Sequence, residues 1–262
     1  MRAVVLLATL AACGRFDFGA RGDAAARGDA QAVDAARDGN AVASDAPTGC
    51  AAHPYELCDD FESADLAPVW MADTDVRIDS TFAHSGTQSA HFSMPASSAG
   101  AGAFALLIES STLPLGDATS YVRAYLRFGS LASGGNAMEI IAAAQASSAH
   151  EDALFMSSAD LAVYKQWAPE DSEHDLAAPA LDTWLCVLFT IQRSTTATGS
   201  VALAGDVAPI ALTNVQTDGA PPIADLQFGP QLSATNQPDD QPALEMWIDD
   251  IIVDKSPVTC AD

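Results

Sequence analysis

Two stretches of period-two alternation limit what this chain can fold into. From Ser120 to Gly129, Val122, Ala124, Leu126 and Phe128 share one side, and Tyr121, Arg123, Tyr125 and Arg127 share the other. Further on, Thr183, Leu185, Val187, Phe189 and Ile191 alternate with Trp184, Cys186, Leu188 and Thr190. A helix would scatter either set around its circumference, whereas successive strand residues point to opposite faces. The second run is largely apolar on both sides, as suits a central strand covered twice. Shorter runs recur at Asp75–Ser80, Gln88–Met94, Ala103–Glu109, Leu161–Gln166, Ser200–Ala204, Pro209–Thr213, Asp225–Gly229 and Leu244–Asp254, divided by Gly, Pro, Ser, Asn and Asp. Ala137–Ala144 reads as a strand, although the alanines of Ala137–Ala149 with Met138 and Ile141 suit a helix equally. About a dozen strands without a long helix predict an all-β fold, a two-sheet antiparallel jelly-roll sandwich.

The chain has other parts before that sandwich. Met1-Arg2 and the apolar run Ala3–Leu10 lead into Leu10-Ala11-Ala12-Cys13, which resembles the bacterial lipobox. The peptidase of that pathway needs small side chains before its cut, and the thiol of Cys13 carries the lipid. Residues 1–12 are therefore expected to be a lipoprotein signal peptide, outside the folded protein. Residues 13–49, rich in Ala, Asp, Gly and Arg, lack the apolar surface to offset ordering entropy. They read as a lipidated, disordered tether reaching roughly 30–35 Å. Its two Arg-Gly-Asp triplets, at Arg21 and Arg27, belong to a near-repeat of four residue types and carry no adhesion signal. Gly14 is not the Asp associated with inner-membrane retention, so a lipid-anchored outer-membrane location is expected.

The sandwich is assigned to residues 50–262. The chain's formal charge is −24, and residues 1–49 hold five of the eleven basic residues but six of the 35 acidic ones, so the acidity lies in the sandwich. Such a surface repels phosphate backbones and anionic head groups, which excludes nucleic acid and leaves the lipid as the one membrane contact. Cys50, Cys58, Cys186 and Cys260 remain, an even number that predicts two disulfides in an exported protein. Three pairings are open, including ones that join Cys260 to Cys50 or Cys58. The absence of a Cys-x-x-Cys pair argues against a thiolate metal site.

Four segments in order carry a family resemblance: Cys58-Asp59-Asp60-Phe61-Glu62 with Trp70, His84-Ser85-Gly86-Thr87-Gln88-Ser89-Ala90, Trp184-Leu185-Cys186, and Trp247-Ile248-Asp249-Asp250-Ile251-Ile252-Val253-Asp254. Together they resemble the concanavalin A-like (laminin-G-like) jelly-roll superfamily of lectin-like, carbohydrate-binding and glycan-active domains. The resemblance implies a structural calcium held by Glu62, the backbone around Ser85-Gly86, and Asp249. Oxygen donors of this kind suit calcium. Adjacent strand residues face opposite ways, so only one of Asp249 and Asp250 is expected to take part.

The resemblance also implies a glycan groove on a concave sheet. Tyr121, Arg123, Tyr125 and Arg127 could line it, since aromatic rings stack on sugars and guanidinium forks bind hydroxyls or carboxylates. The alternative for this stripe is an ordinary solvent face. A second candidate is the segment from Trp167 to Asp175 with Glu170, Asp171, Glu173 and His174. Catalytic motifs are missing. Glu245-Met246-Trp247-Ile248-Asp249-Asp250 has the wrong spacing for a jelly-roll glucanase, and His53, His84, His91, His150 and His174 make no metal-protease pattern. The expected function is thus a non-catalytic envelope lipoprotein that binds a glycan. The alternatives are a polysaccharide hydrolase or lyase on the same fold, and a structural envelope module that meets another protein.

Overall fold

The computed structural model of the chain describes Cys50 and residues 54–111, 119–144, 151–165, 172–192, 198–216 and 223–261. Cys13, the rest of residues 1–49, and Trp167 lie outside these. Strands are numbered along the chain and form two eight-stranded sheets in which every ladder is antiparallel.

The first sheet runs β14 (Ile210–Gln216), β13 (Thr198–Gly205), β12 (Trp184–Gln192), β7 (Thr119–Phe128), β16 (Leu244–Asp254), β4 (Ser89–Met94) and β3 (Val76–Asp79), with β1 (Leu57–Asp59) also paired to β16. Leu57 stands opposite Val253, so the first and last strands are neighbours, as the sequence motifs imply. The second sheet runs β11 (Ser172–Ala177), β10 (Asp160–Lys165), β9 (Glu151–Met156), β8 (Met138–Ala144), β15 (Asp225–Leu232), β6 (Leu107–Glu109) and β2 (Met71–Ala72), with β5 (Ala103–Phe104) also on β15. The jelly-roll reading of the sequence holds.

The alternating apolar residues meet between the sheets. Phe92, Leu126, Phe128, Phe189 and Ile248 of the first sheet share one buried cluster with Leu107, Ile141, Leu154 and Phe228 of the second. Trp70 lies edge-on to Phe228, ring centres 5.7 Å apart. Gly229 shows how tightly the layers approach. Its φ is +115°, and a Cβ there would sit 2.3 Å from the Ala105 carbonyl and 2.5 Å from the Phe92 ring. A bulge at this point carries β15 on to Leu232, beyond the Gly229 end expected from sequence.

Other differences have physical causes. Met138–Ala144 is a strand, because Met138, Ile141 and Ala143 pack inward between two hydrogen-bonded neighbours. Glu151–Met156 gives no clear strand pattern, yet pairing with β8 and β10 on either side makes it one. Context outweighs local propensity there. Ser172–Ala177, read as part of an acidic loop, is an edge strand paired to β10. The disulfides are Cys50–Cys58 and Cys186–Cys260. Cys260 is therefore tied to central strand β12 and not to the start of the domain, whose position is fixed by the β1–β16 ladder.

Candidate functional site

The outer face of the first sheet carries the Tyr–Arg stripe of β7, but the chain folds over it. Arg123 is only 1% exposed, and Tyr125 and Arg127 are buried, while Tyr121 is half-buried. The segment between β3 and β4 crosses this face. His84 stacks on Tyr125 with ring centres 3.4 Å apart, and the Arg127 guanidinium lies 3.5 Å over the Phe82 ring. Phe82 in turn meets Trp247 edge-on at 4.9 Å, and Arg127 Nη2 donates to Asp182 at 2.8 Å. The C-terminal tail covers the rest. Arg123 donates to the Thr259 carbonyl at 3.3 Å, Tyr125 donates its hydroxyl to the Cys260 carbonyl, and Cys260 is bonded to Cys186. The four stripe residues do share one side, as alternation requires. Three of them serve as a floor for the β3–β4 segment and the C-terminal tail, so the expected open groove is not here.

Glu62 and Asp249, expected as calcium ligands, both meet the His84–Gln88 loop at the edge of this cover, although among the described residues no group of three or more His, Cys, Asp or Glu is placed to hold a metal ion. Glu62 Oε1 accepts from the Thr87 and Gln88 amides at 2.7 and 2.8 Å, and Oε2 accepts from the Thr87 hydroxyl at 2.8 Å. Asp249 Oδ2 accepts from the His84 and Ser85 amides at 2.8 and 3.3 Å. Gly86, with φ +59°, leaves room that a side chain would fill: a Cβ would lie 2.4 Å from Glu62 Oε1.

Asp250 departs from the strand-alternation expectation. It adopts φ +49° at a bulge in β16, and the inward parity changes from Ile248 to Ile251. Asp tolerates this conformation better than most residues. Both carboxylates consequently face the same loop: Asp250 Oδ1 accepts from the Ser85 hydroxyl at 2.8 Å, and Asp250 Oδ2 lies 2.6 Å from His84 Nδ1. Burial, then the charge of Asp250, pushes the Asp249 carboxyl up to about 7, despite three backbone amides that favour its anion. Burial also acts to raise Asp250, but hydrogen bonds from His84 and Ser85 and the charges of His84 and Arg123 outweigh it and hold its pKa below the usual value.

The outer face of the second sheet is different. Phe104, Gln231, Glu139 and Phe155 stand in register on β5, β15, β8 and β9, and the same ladder row continues through Ala162 to the backbone position of His174 on β11. Gln231 Nε2 donates to Glu139 Oε2 at 3.0 Å, and Gln227 Nε2 donates to Asp225 Oδ1 at 2.9 Å. Ala142, Ala153 and Ala162 form a buried cluster with Phe155, and Glu139 beside them is only 5% exposed. At the β5–β2 end Phe104 is 56% exposed and Met71 61% exposed. Sequence reading missed this row because two of its strands were truncated or unrecognised. The available clue was the pair Gln227/Gln231 flanking the Gly229-Pro230 interruption.

Glu139 and Asp225 stand far apart. Asp225 is opposite Ala144, five positions along β8 from Glu139, which is roughly 15 Å at strand rise. Paired glycosidase carboxylates stand about 5–9.5 Å apart, so these two do not form such a pair.

No protein-family model matches the chain, and no curated protein matches it. Solved structures do share its architecture. A cellulose-induced protein superposes with TM-score 0.57 at 19% identity, over 78% of this chain and 99% of its own. An endo-β-1,4-glucuronan lyase from the fungus Trichoderma reesei gives TM-score 0.61 at 12% identity, over 78% and 96%. A GH131 β-glucanase catalytic domain from Podospora anserina gives 0.52 at 14%, over 74% and 88%. Likeness at these identities establishes the jelly-roll fold, and function has to come from the site.

Proposed function

We propose that this chain is a glycan-binding jelly-roll lipoprotein, anchored in the outer membrane through Cys13 and binding its ligand on the outer face of the second sheet. The observation that carries the reading is the exposed Phe104 ring, in register with Gln231, whose amide is bonded to the buried Glu139. An exposed ring beside an amide group is what a sugar needs, because its C–H face stacks on the ring while its hydroxyls bond to the amide. The exposed part of this face is its β5–β2 end, where Phe104 and Met71 lie, and the ligand is placed there. Two of the neighbours, by their printed names, act on polysaccharides, which agrees with the reading.

Phe104→Ala is expected to weaken retention on a polysaccharide gel about tenfold, the loss of one stacked ring. Arg77→Ala, at an exposed edge position of the first sheet, serves as the control. Equal retention of wild type and Phe104→Ala would remove this face from the proposal. Release of sugar ends during the same incubation would replace binding by a hydrolase or lyase activity.

Calcium is part of the proposal. Glu62, the Ser85-Gly86 backbone and Asp249, joined by Asp250, supply oxygen donors from three chain segments, and Gly86 allows the close approach. The ion would offset the repulsion of two adjacent buried carboxylates and pin the loop over the Tyr–Arg stripe. At a hundredfold excess over Kd, calcium should raise Tm by about 5–10 °C relative to the chelated protein. Identical melting in calcium and in chelator would dispose of the ion.

A further inference from the structure

The exposed end of the second sheet repeats one arrangement twice. On this side β15 keeps a single register against β5 and β6: Gln231 stands opposite Phe104, Phe228 opposite Leu107, and Gln227 opposite Ile108. Ile108 is in turn opposite Met71 of the edge strand β2. Strand residues an even number apart share a face, which puts Phe104 with Ile108 and Gln231 with Gln227 on one side. Burial agrees. Phe104 and Met71 are exposed and Ile108, Gln227 and Gln231 are half-buried, whereas Leu107 and Phe228 belong to the core.

Each repeat sets an apolar side chain beside a glutamine whose amide nitrogen is already engaged. Gln231 Nε2 donates to Glu139 and Gln227 Nε2 donates to Asp225. Glu139 is buried, so its part is to orient the amide from within the sheet. Each amide oxygen is thereby turned away from its carboxylate and can accept from a sugar hydroxyl. Gly229 contributes no side chain between the two glutamines. The repeats lie four residues apart, about 13 Å at strand rise, with Met71 about 5 Å further out on the next strand.

We infer that the two repeats are successive subsites for one linear polysaccharide, so that the full site is filled only by a chain longer than a disaccharide. This rests on the ligand face proposed above. A chain stacked on Phe104 carries its next units to Ile108 and Met71, and the second contact forms as an intramolecular event at high effective concentration. A disaccharide reaches one subsite and forgoes the other.

The test is affinity electrophoresis of the full chain in gels containing a neutral β-glucan, a xylan, polyglucuronate or alginate, followed by competition with the disaccharide and the hexasaccharide of whichever polymer retards it. The hexasaccharide is expected to compete about tenfold more strongly, the worth of one further apolar contact. Met71→Ala should bring the hexasaccharide down to the level of the disaccharide, and Met71→Leu should restore it. Met71 is 61% exposed on a two-residue edge strand, so neither change reaches the core. Equal competition by the two oligosaccharides, or a hexasaccharide affinity that Met71→Ala leaves intact, overturns the inference. Weaker retardation of Phe104→Ala in the same gels would then still uphold the glycan-binding reading. Retardation in none of the gels overturns both.

Discussion

Replacing Cys186 and Cys260 together by Ala should lower stability by about 4 kcal/mol, against about 2.5 kcal/mol for the Cys50/Cys58 pair. The difference follows from the closed loops: one bridge spans 74 residues and the other 8. An open 74-residue loop gives the unfolded chain far more freedom, and the bridge removes it. A domain of about 200 residues shifts in Tm by roughly 2–4 °C per kcal/mol, so the longer bridge is worth on the order of 10 °C. The local consequences differ as well. Loss of Cys50–Cys58 leaves the β1–β16 ladder intact, whereas loss of Cys186–Cys260 detaches the tail whose carbonyls receive Arg123 and Tyr125. Urea denaturation of the two double variants decides the matter. Equal losses, or a larger loss for the short bridge, would show that chain entropy is not what the long bridge supplies.

The alternating runs made the sheets legible in the sequence. Val122, Ala124, Leu126 and Phe128 point inward as their spacing requires, and Val187, Phe189 and Ile191 join them from β12. Edge and bulged segments were less legible, because there the pattern is set by neighbours distant in sequence. Asp250 is the clearest case. Period-two counting separates it from Asp249, and only a bulge with φ +49° puts both on one side. The stripe on β7 illustrates a second limit. Alternation places Tyr121, Arg123, Tyr125 and Arg127 on one face but cannot say what covers that face. The answer lies in His84, Phe82 and the Thr259-Cys260 tail, which the chain returns to the sheet from far along its length. For the opposite face the difficulty was registration. Phe104, Gln231, Glu139 and Phe155 come from four strands, and their row exists only once those strands are paired.

Covered as it is, the stripe should behave as part of the core. Arg123→Met keeps the apolar stem and removes the guanidinium, which reaches the Asp250 and Thr259 carbonyls at 3.4 and 3.3 Å. The Asp250 carbonyl stays buried while Thr259 is exposed, and Asp250 loses a charge that favours its anion. Removing one partner from such a buried arrangement costs about 3–5 kcal/mol. Arg77→Met, at a 59% exposed side chain paired to Asp79 at 3.6 Å, should cost about 0.5 kcal/mol or less. A comparable loss at both positions would mean that Arg123 is not sealed in as described. The disulfide offers a sharper check, because Arg123 and Cys260 hold the same tail one residue apart. Once the tail is detached, Arg123 has already lost Thr259. Combining Arg123→Met with Cys186→Ala and Cys260→Ala should therefore cost less than the two losses added, by about 1 kcal/mol or more. Strict additivity in urea would show that the bridge and the arginine act on different parts of the molecule, and the tail would then not be the shared cover of the first sheet.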